Sequence, residues 1–179
     1  MTTQLSTLIA FVAAAFSWTG AAAQEHPPMP SGMTHEQHQA QMKKEADLKA
    51  HGRMAMGFEQ DKATHHFTLT ATGGTIAVTA NDPDDAGTRD HIRTHLEEIA
   101  TAFANGDFEK PLMTHGDMPP GAADMRRHNA DIKYTFERTA NGGLVRIVTA
   151  KEPALKAVHE FLRYQIREHA TGDPLTIQK

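Results

Sequence analysis

The stretch "FTLTATGGTIAVTANDP" (67–83) returns in altered form as "FERTANGGLVRIVTAKEP" (136–153). Phe67 corresponds to Phe136, Gly73-Gly74 to Gly142-Gly143, and Ile76 and Val78 to Val145 and Ile147. Thr79-Ala80 and Pro83 correspond to Thr149-Ala150 and Pro153 after a one-residue slip. In both copies apolar and polar residues alternate on either side of the glycine pair. That is the period of a half-buried strand, so each copy predicts a β-hairpin joined at its glycines. A proline near the first helical turn follows, with Asp84-Asp85 beside the positive end of the helix dipole in the first copy. Each helical stretch stops at "NGD" (105–107) or "TGD" (171–173), where Gly106 and Gly172 suit a left-handed residue after the last turn. The order is therefore β-β-α, a long connection, then β-β-α. A four-stranded antiparallel sheet with two helices on one face is the simplest way to bury both apolar stripes. The chain is expected to be an α+β two-layer sandwich.

Outside this repeat the chain changes character. "MTTQLSTLIAFVAAAFSWTGAAAQ" (1–24) holds an apolar run from Leu8 to Trp18, then small residues ending in Ala21-Ala22-Ala23. It predicts a signal peptide over 1–23 cleaved near Ala23, although no Lys or Arg precedes the apolar run. The run is shorter than the roughly 20 residues of a membrane span, and no other is long enough. The mature chain is expected to be periplasmic or secreted. Residues 24–60 are polar, rich in His and Met and poor in branched aliphatics, which predicts a flexible arm. A weak helix is possible within it over 34–51, capped by Thr34 with Gln37 three residues later. The folded domain is expected over 61–175.

The chain contains no cysteine, which excludes disulfides, thiolate ligands and thiol nucleophiles. A formal charge of −4 with neutral histidines argues against a nucleic-acid partner, which would need a basic surface. Twelve histidines and nine methionines are the anomaly of the composition, and the repeat gives several of them a defined place. His65 alternates with Phe67 and Leu69 on the inward face of its strand, where the second copy has Tyr134; His66 points outward with the threonines. Aligned through their closing Gly-Asp pairs, the helices match Ile92 to Val158 and Leu96 to Leu162. His95 then takes the place of Phe161, and His169 the place of Phe103. Three histidines thus stand in core slots that the other half fills with aromatic rings. Any one of them could be an ordinary core histidine bonded to backbone, but three in one small domain suggest ligands.

His91 lies one turn before His95, an i, i+4 pair able to hold one ion. "HIRTH" (91–95) is not a metalloprotease motif, since Ile92 and Arg93 stand where that motif has its glutamate. His159 falls at the edge of the second helix's apolar stripe. The connection "KPLMTHGDMPPGAADMRRH" (110–128) adds Met113, His115, Met118, Met125 and His128. Thioether plus imidazole, without thiolate, suits Cu(I), and imidazole with carboxylate suits Cu(II) or Zn(II). The expected metal site is His65, His91, His95, His115 and His169, with Met113, Met118 and His159 secondary and the arm gathering ions.

From "MGFEQDKATHHF" (56–67) through "HEFLRYQIREHATGD" (159–173) the chain resembles a family of small exported bacterial proteins of uncharacterised function. The resemblance spans nearly the whole mature domain and implies no catalytic residue.

The expected function is metal binding in the periplasm, most plausibly copper handling. Haem held by two histidines is an alternative, in a pocket lined by Phe67, Ile99, Phe136 and Phe161. Another is an interaction module that forms a homodimer through the "FLRYQIREH" helix (161–169). An enzyme would have to rely on metal-activated water, and no substrate or catalytic residue is nominated.

Overall fold

A computed structural model of the chain describes residues 32–179, apart from the side chains of 44, 45, 48, 49, 51 and 55. The segment expected to be a signal peptide, 1–23, and the start of the arm lie outside the described residues. Along the chain come α1 (His35–Met56), β1 (Ala63–Thr70), β2 (Gly73–Ala80), α2 (Ala86–Ala104), α3 (Glu109–His115), α4 (Ala122–Arg127), β3 (Ile132–Thr139), β4 (Gly142–Thr149) and α5 (Glu152–Glu168). Single 3-10 turns, Gln60–Lys62 and Asn129–Asp131, lead into β1 and β3. The strands form one antiparallel sheet in the order β1-β2-β4-β3, with the two strands of each tandem hairpin adjacent.

The glycine pairs are not the turns. Each hairpin turns at the two residues before its pair, and the glycines open β2 and β4. Their role is close approach at the centre of the sheet, where β2 and β4 run side by side. A Cβ on Gly73 would run into the Ile147 carbonyl, and one on Gly142 into the Val78 carbonyl. Gly74 and Gly143 lie on the other face, under the leucines of the helices. A Cβ on Gly143 would stand 3.1 Å from Leu96 Cδ1 of α2, and one on Gly74 would collide with Leu162 Cδ1 of α5.

These contacts interlock the two halves. The helix of the first half, α2, packs mainly on β3 and β4, and α5, the helix of the second, packs on β1 and β2. The buried face of the sheet presents Phe67, Leu69, Ile76, Val78, Val145 and Ile147 to Ile92, Leu96, Phe103, Val158, Phe161 and Leu162. The opposite face carries His66, Thr79, Lys133, Arg146 and Val148 and is open to solvent. Each helix also clamps the turn of the hairpin it covers. His159 Nε2 lies 2.9 Å from Thr70 O and 3.0 Å from Gly73 O. Arg93, its counterpart in the repeat, donates to Thr139 O, Ala140 O and Gly142 O at 2.8–3.1 Å.

Three departures from the expected organisation have local causes. First, α1 extends beyond the weak helix of the arm, from a capping box at Thr34 and Gln37 to a left-handed Gly57. Its last turn is held by tertiary contact, because Met56 and Phe58 are buried in the core. Second, the long connection folds into α3 and α4, which pack on α1 and α5 and bury Pro111, Ala122 and Met125. Third, Phe161, Leu162 and Ile166 of the helix expected to dimerise are buried within the chain's own core.

After α5 the chain doubles back along the outer edge of β1. The Asp173 carboxylate accepts from Phe67 N–H and pairs with His66 Nδ1, both at 2.9 Å. Gln178 N–H donates to Leu69 O at 2.8 Å, and Arg163 Nε holds Leu175 O.

Because one side chain satisfies several turn carbonyls in each half, Arg93→Ala and His159→Ala should each cost about 1–3 kcal/mol. Urea denaturation should show the loss as a lower midpoint at unchanged slope.

Candidate functional site

Residues from five elements meet at one end of the buried layer. His65 points inward from β1, as the strand alternation and its counterpart Tyr134 predict. His95 comes from the second turn of the covered stripe of α2, His115 ends α3, and His169 is the cap residue of α5. Met56, from the last turn of α1, closes the group. Together they line a cavity of about 60 Å³ with Phe67, Phe161, Thr114, Lys110 and Gln165. At roughly 10–15 Å³ per water on that measure, there is space for an ion and a few waters. Among the described residues, no carboxylate lines it.

The ring geometry has a simple origin in the repeat. In one half Phe103 contacts Tyr134 and Phe161, with ring centres 5.8 and 5.6 Å apart. The corresponding slots in the other half hold His169, His65 and His95. The His65 and His169 rings stack with centres 5.3 Å apart, and His115 meets His169 edge-on at the same distance. Phe58 lies against His65 at 6.2 Å and His95 at 5.9 Å. An aromatic cluster has thus been rebuilt with imidazoles at its pseudo-symmetric position.

Burial sets the charge of these rings. Desolvation, assisted by neighbouring His66, lowers His65 to about 4. Desolvation first, then the charge of Lys110 and the nearness of His65, lowers His95 to about 4. His169 is lowered to about 3 by desolvation and by His65 and His115 beside it. All three are neutral imidazoles at pH 7, the state in which a ring nitrogen can bind a metal. His95 Nδ1 and Gln165 Nε2, buried atoms of two residues that line the cavity, have no hydrogen-bond partner among the described residues. Such groups call for a polar occupant of the cavity, either water or a ligand. His115 Nε2 lies 3.1 Å from Gln165 Oε1. Among the described residues, no three His, Asp or Glu side chains already surround one point closely enough to hold an ion.

The structure therefore brings His65, His95, His115 and His169 to one cavity and leaves the remaining expected ligands elsewhere. His91 is exposed on α2 and faces a separate surface groove with Arg53, Lys62 and Asp85. His159 is buried as the turn clamp described above. Met113 and Met118 are 58% and 38% exposed. Sequence reasoning assigned Met56 to the arm and overlooked Gln165. The first is signalled only by the Gly-Phe that follows it, a helix stop and an apolar anchor. Of the residues expected to line a haem pocket, Phe67, Ile99 and Phe161 line this cavity and Phe136 does not. Comparisons of the chain with protein families, with curated proteins and with solved structures returned no match.

The depressed values of His65, His95 and His169 fix the sign of the acid response. The unfolded chain takes up protons on these rings near pH 6.5, whereas the folded chain resists them until about pH 4 or below. Their contribution to stability is complete above pH 6.5 and is lost as pH falls toward 4. At its steepest the three together give a slope of up to about 4 kcal/mol per pH unit. Urea midpoints measured on metal-free protein should fall across this window, and His169→Phe should make the fall shallower.

Proposed function

We propose that this chain is an exported metal-binding protein whose site is the cavity between His65, His95, His115 and His169, with copper as its ion. The observation that carries the proposal is the convergence of four imidazoles and the Met56 thioether on one cavity, with no carboxylate among the described residues that line it. Imidazole and thioether donors suit copper, and uncharged soft donors favour its monovalent state. Zinc remains the second choice for an imidazole set.

The spacing is compatible with ligation. Two imidazoles bound to one ion at about 2.0 Å and near the tetrahedral angle have ring centres about 5 Å apart. His169 is separated from both His65 and His115 by 5.3 Å. Rotation of the rings about their side-chain bonds is still required to aim three nitrogens at one point. The cavity's size favours an ion over haem, since sites for larger ligands usually span about 300–1,000 Å³. Export is supported by the amino-terminal sequence, and no helix among the described residues is long and apolar enough to cross a membrane.

The test is a competition titration of residues 24–179 with Cu(I), Cu(II) and Zn(II), alongside metal analysis of the protein as purified. The expected result is one tight Cu(I) site per chain, weakened on the order of 100-fold or more by His65→Ala or His169→Ala. His91→Ala, outside the cavity, should leave that site unchanged. Micromolar or weaker binding, or tight binding indifferent to His65 and His169, would overturn the proposal.

A further inference from the structure

The internal repeat makes the two edges of the sheet comparable, and they are finished differently. At the β1 edge, the outward backbone groups of Phe67 and Leu69 are satisfied by Asp173 and Gln178 of the returning C-terminal segment. The counterparts of these residues at the β3 edge are Phe136 and Arg138. Register shows the equivalence, since Phe67 pairs with Ile76 and Phe136 with Val145, while Leu69 pairs with Gly74 and Arg138 with Gly143. Tyr134, Phe136 and Arg138 therefore turn their backbone N–H and C=O groups away from β4. Among the described residues, no hydrogen bond from beyond the sheet reaches them. Asp107, the repeat's match to Asp173, caps Glu109 N–H at 2.8 Å instead of clamping β3. The chain after α2 leaves to build α3 and α4, so the first half supplies no cover for this edge.

We infer that the β3 edge is covered by the β3 of a second copy, antiparallel across a twofold axis at Thr135, giving a dimer with one eight-stranded sheet. The sequence "IKYTFERT" (132–139) is self-complementary in this register. The outward backbone groups of Tyr134 and Phe136 meet their opposites in the partner strand, while the Ile132 N–H stays with Asn129 O of its own chain and ends the ladder there. Lys133 stands opposite the second copy's Glu137, and Glu137 opposite its Lys133. Both are non-hydrogen-bonded positions, where facing side chains come closest. On the helix side Tyr134 and Phe136, each only partly buried, stand opposite one another across the joint. Shifting the axis to residue 134 instead puts Asp131 opposite Glu137 and loses the Lys133 pairing, so charge selects the register. Glu137 already accepts a bidentate pair from Arg146 at 2.8 and 3.2 Å and remains 43% exposed, with oxygen lone pairs left for a second cation.

Sedimentation equilibrium on residues 24–179 reads the state directly, and a dimer at micromolar concentration is expected. Lys133→Glu and Glu137→Lys each set two like-charged pairs across the axis and should weaken self-association about tenfold or more. An equimolar mixture of the two variants restores both attractions and should form a heterodimer at the original strength. Far-UV circular dichroism of each variant alone checks that the hairpin survives. Thr135→Cys is the independent readout, because the chain has no other cysteine. Two such residues facing across the axis have Cα atoms about 4.5 Å apart, within disulfide range, and should cross-link fully on mild oxidation. Lys133→Cys should not. A monomer at all concentrations overturns the inference and leaves the edge to a strand from another protein. A dimer indifferent to these charges, or one that Thr135→Cys does not cross-link, overturns it in favour of another surface.

Discussion

Everything in this molecule depends on the close approach of β2 and β4 and the crossing of helices that it permits. Glycines at 73 and 142 let the two central strands meet without side chains between them. Glycines at 74 and 143 let Leu162 and Leu96 settle onto the sheet. Since α2 covers the second hairpin and α5 the first, neither β-β-α unit buries its own apolar face. A two-stranded hairpin with one helix is marginal in water, and here each unit lacks even its own cover. The two halves are thus obliged to fold as one body.

That pseudo-twofold arrangement also explains where a functional site could arise at tolerable cost. Each core slot exists twice, so one copy can hold the structure while the other diverges. The Tyr134, Phe103 and Phe161 cluster keeps its rings packed and is extended by Phe108, whose centre is 4.5 Å from that of Phe103. Its partner cluster exchanges those rings for His65, His169 and His95, and a cavity stands where packing would otherwise be tight. Three aromatic-to-imidazole exchanges forgo several kcal/mol of apolar burial together. A core that breaks its own packing rule at one end and observes it at the other marks that end for something other than stability.

Much of this was legible in the sequence, for reasons specific to particular residues. The period-2 alternation around each glycine pair defines the hairpins, and comparison of the copies aims His65 inward because Tyr134 occupies its slot. The same comparison identifies His95 and His169 as core positions. What escapes a linear reading depends on contacts distant in the chain. No local signal says that α2 lies over β3 and β4, or that a methionine in a polar, His-rich segment lines a cavity whose histidines follow it by 9 to 113 residues. His91 misleads because i and i+4 differ by about 40° around a helix, enough to leave the edge of a buried stripe for solvent. The glycine pairs mislead differently. They resemble turn residues, yet the constraint on them comes from the neighbouring strand and helix.

The two edges of the sheet bear on how the cavity could work. His65 belongs to β1, at the far edge from β3, and the segment that covers β1 begins directly after His169. An eight-stranded dimer joined at β3 therefore sets the two cavities at opposite ends, roughly 30–35 Å apart at about 4.8 Å per strand. A second copy cannot supply a ligand at that distance, so each chain must complete its ligand set from its own residues. His115 reaches the cavity from the last residue of α3, just before the left-handed Gly116, whereas His65 and His169 are held by the sheet and by α5. The proposed ion capture and the proposed self-association would then use separate parts of the fold, the cavity beside β1 for the first and the β3 edge for the second.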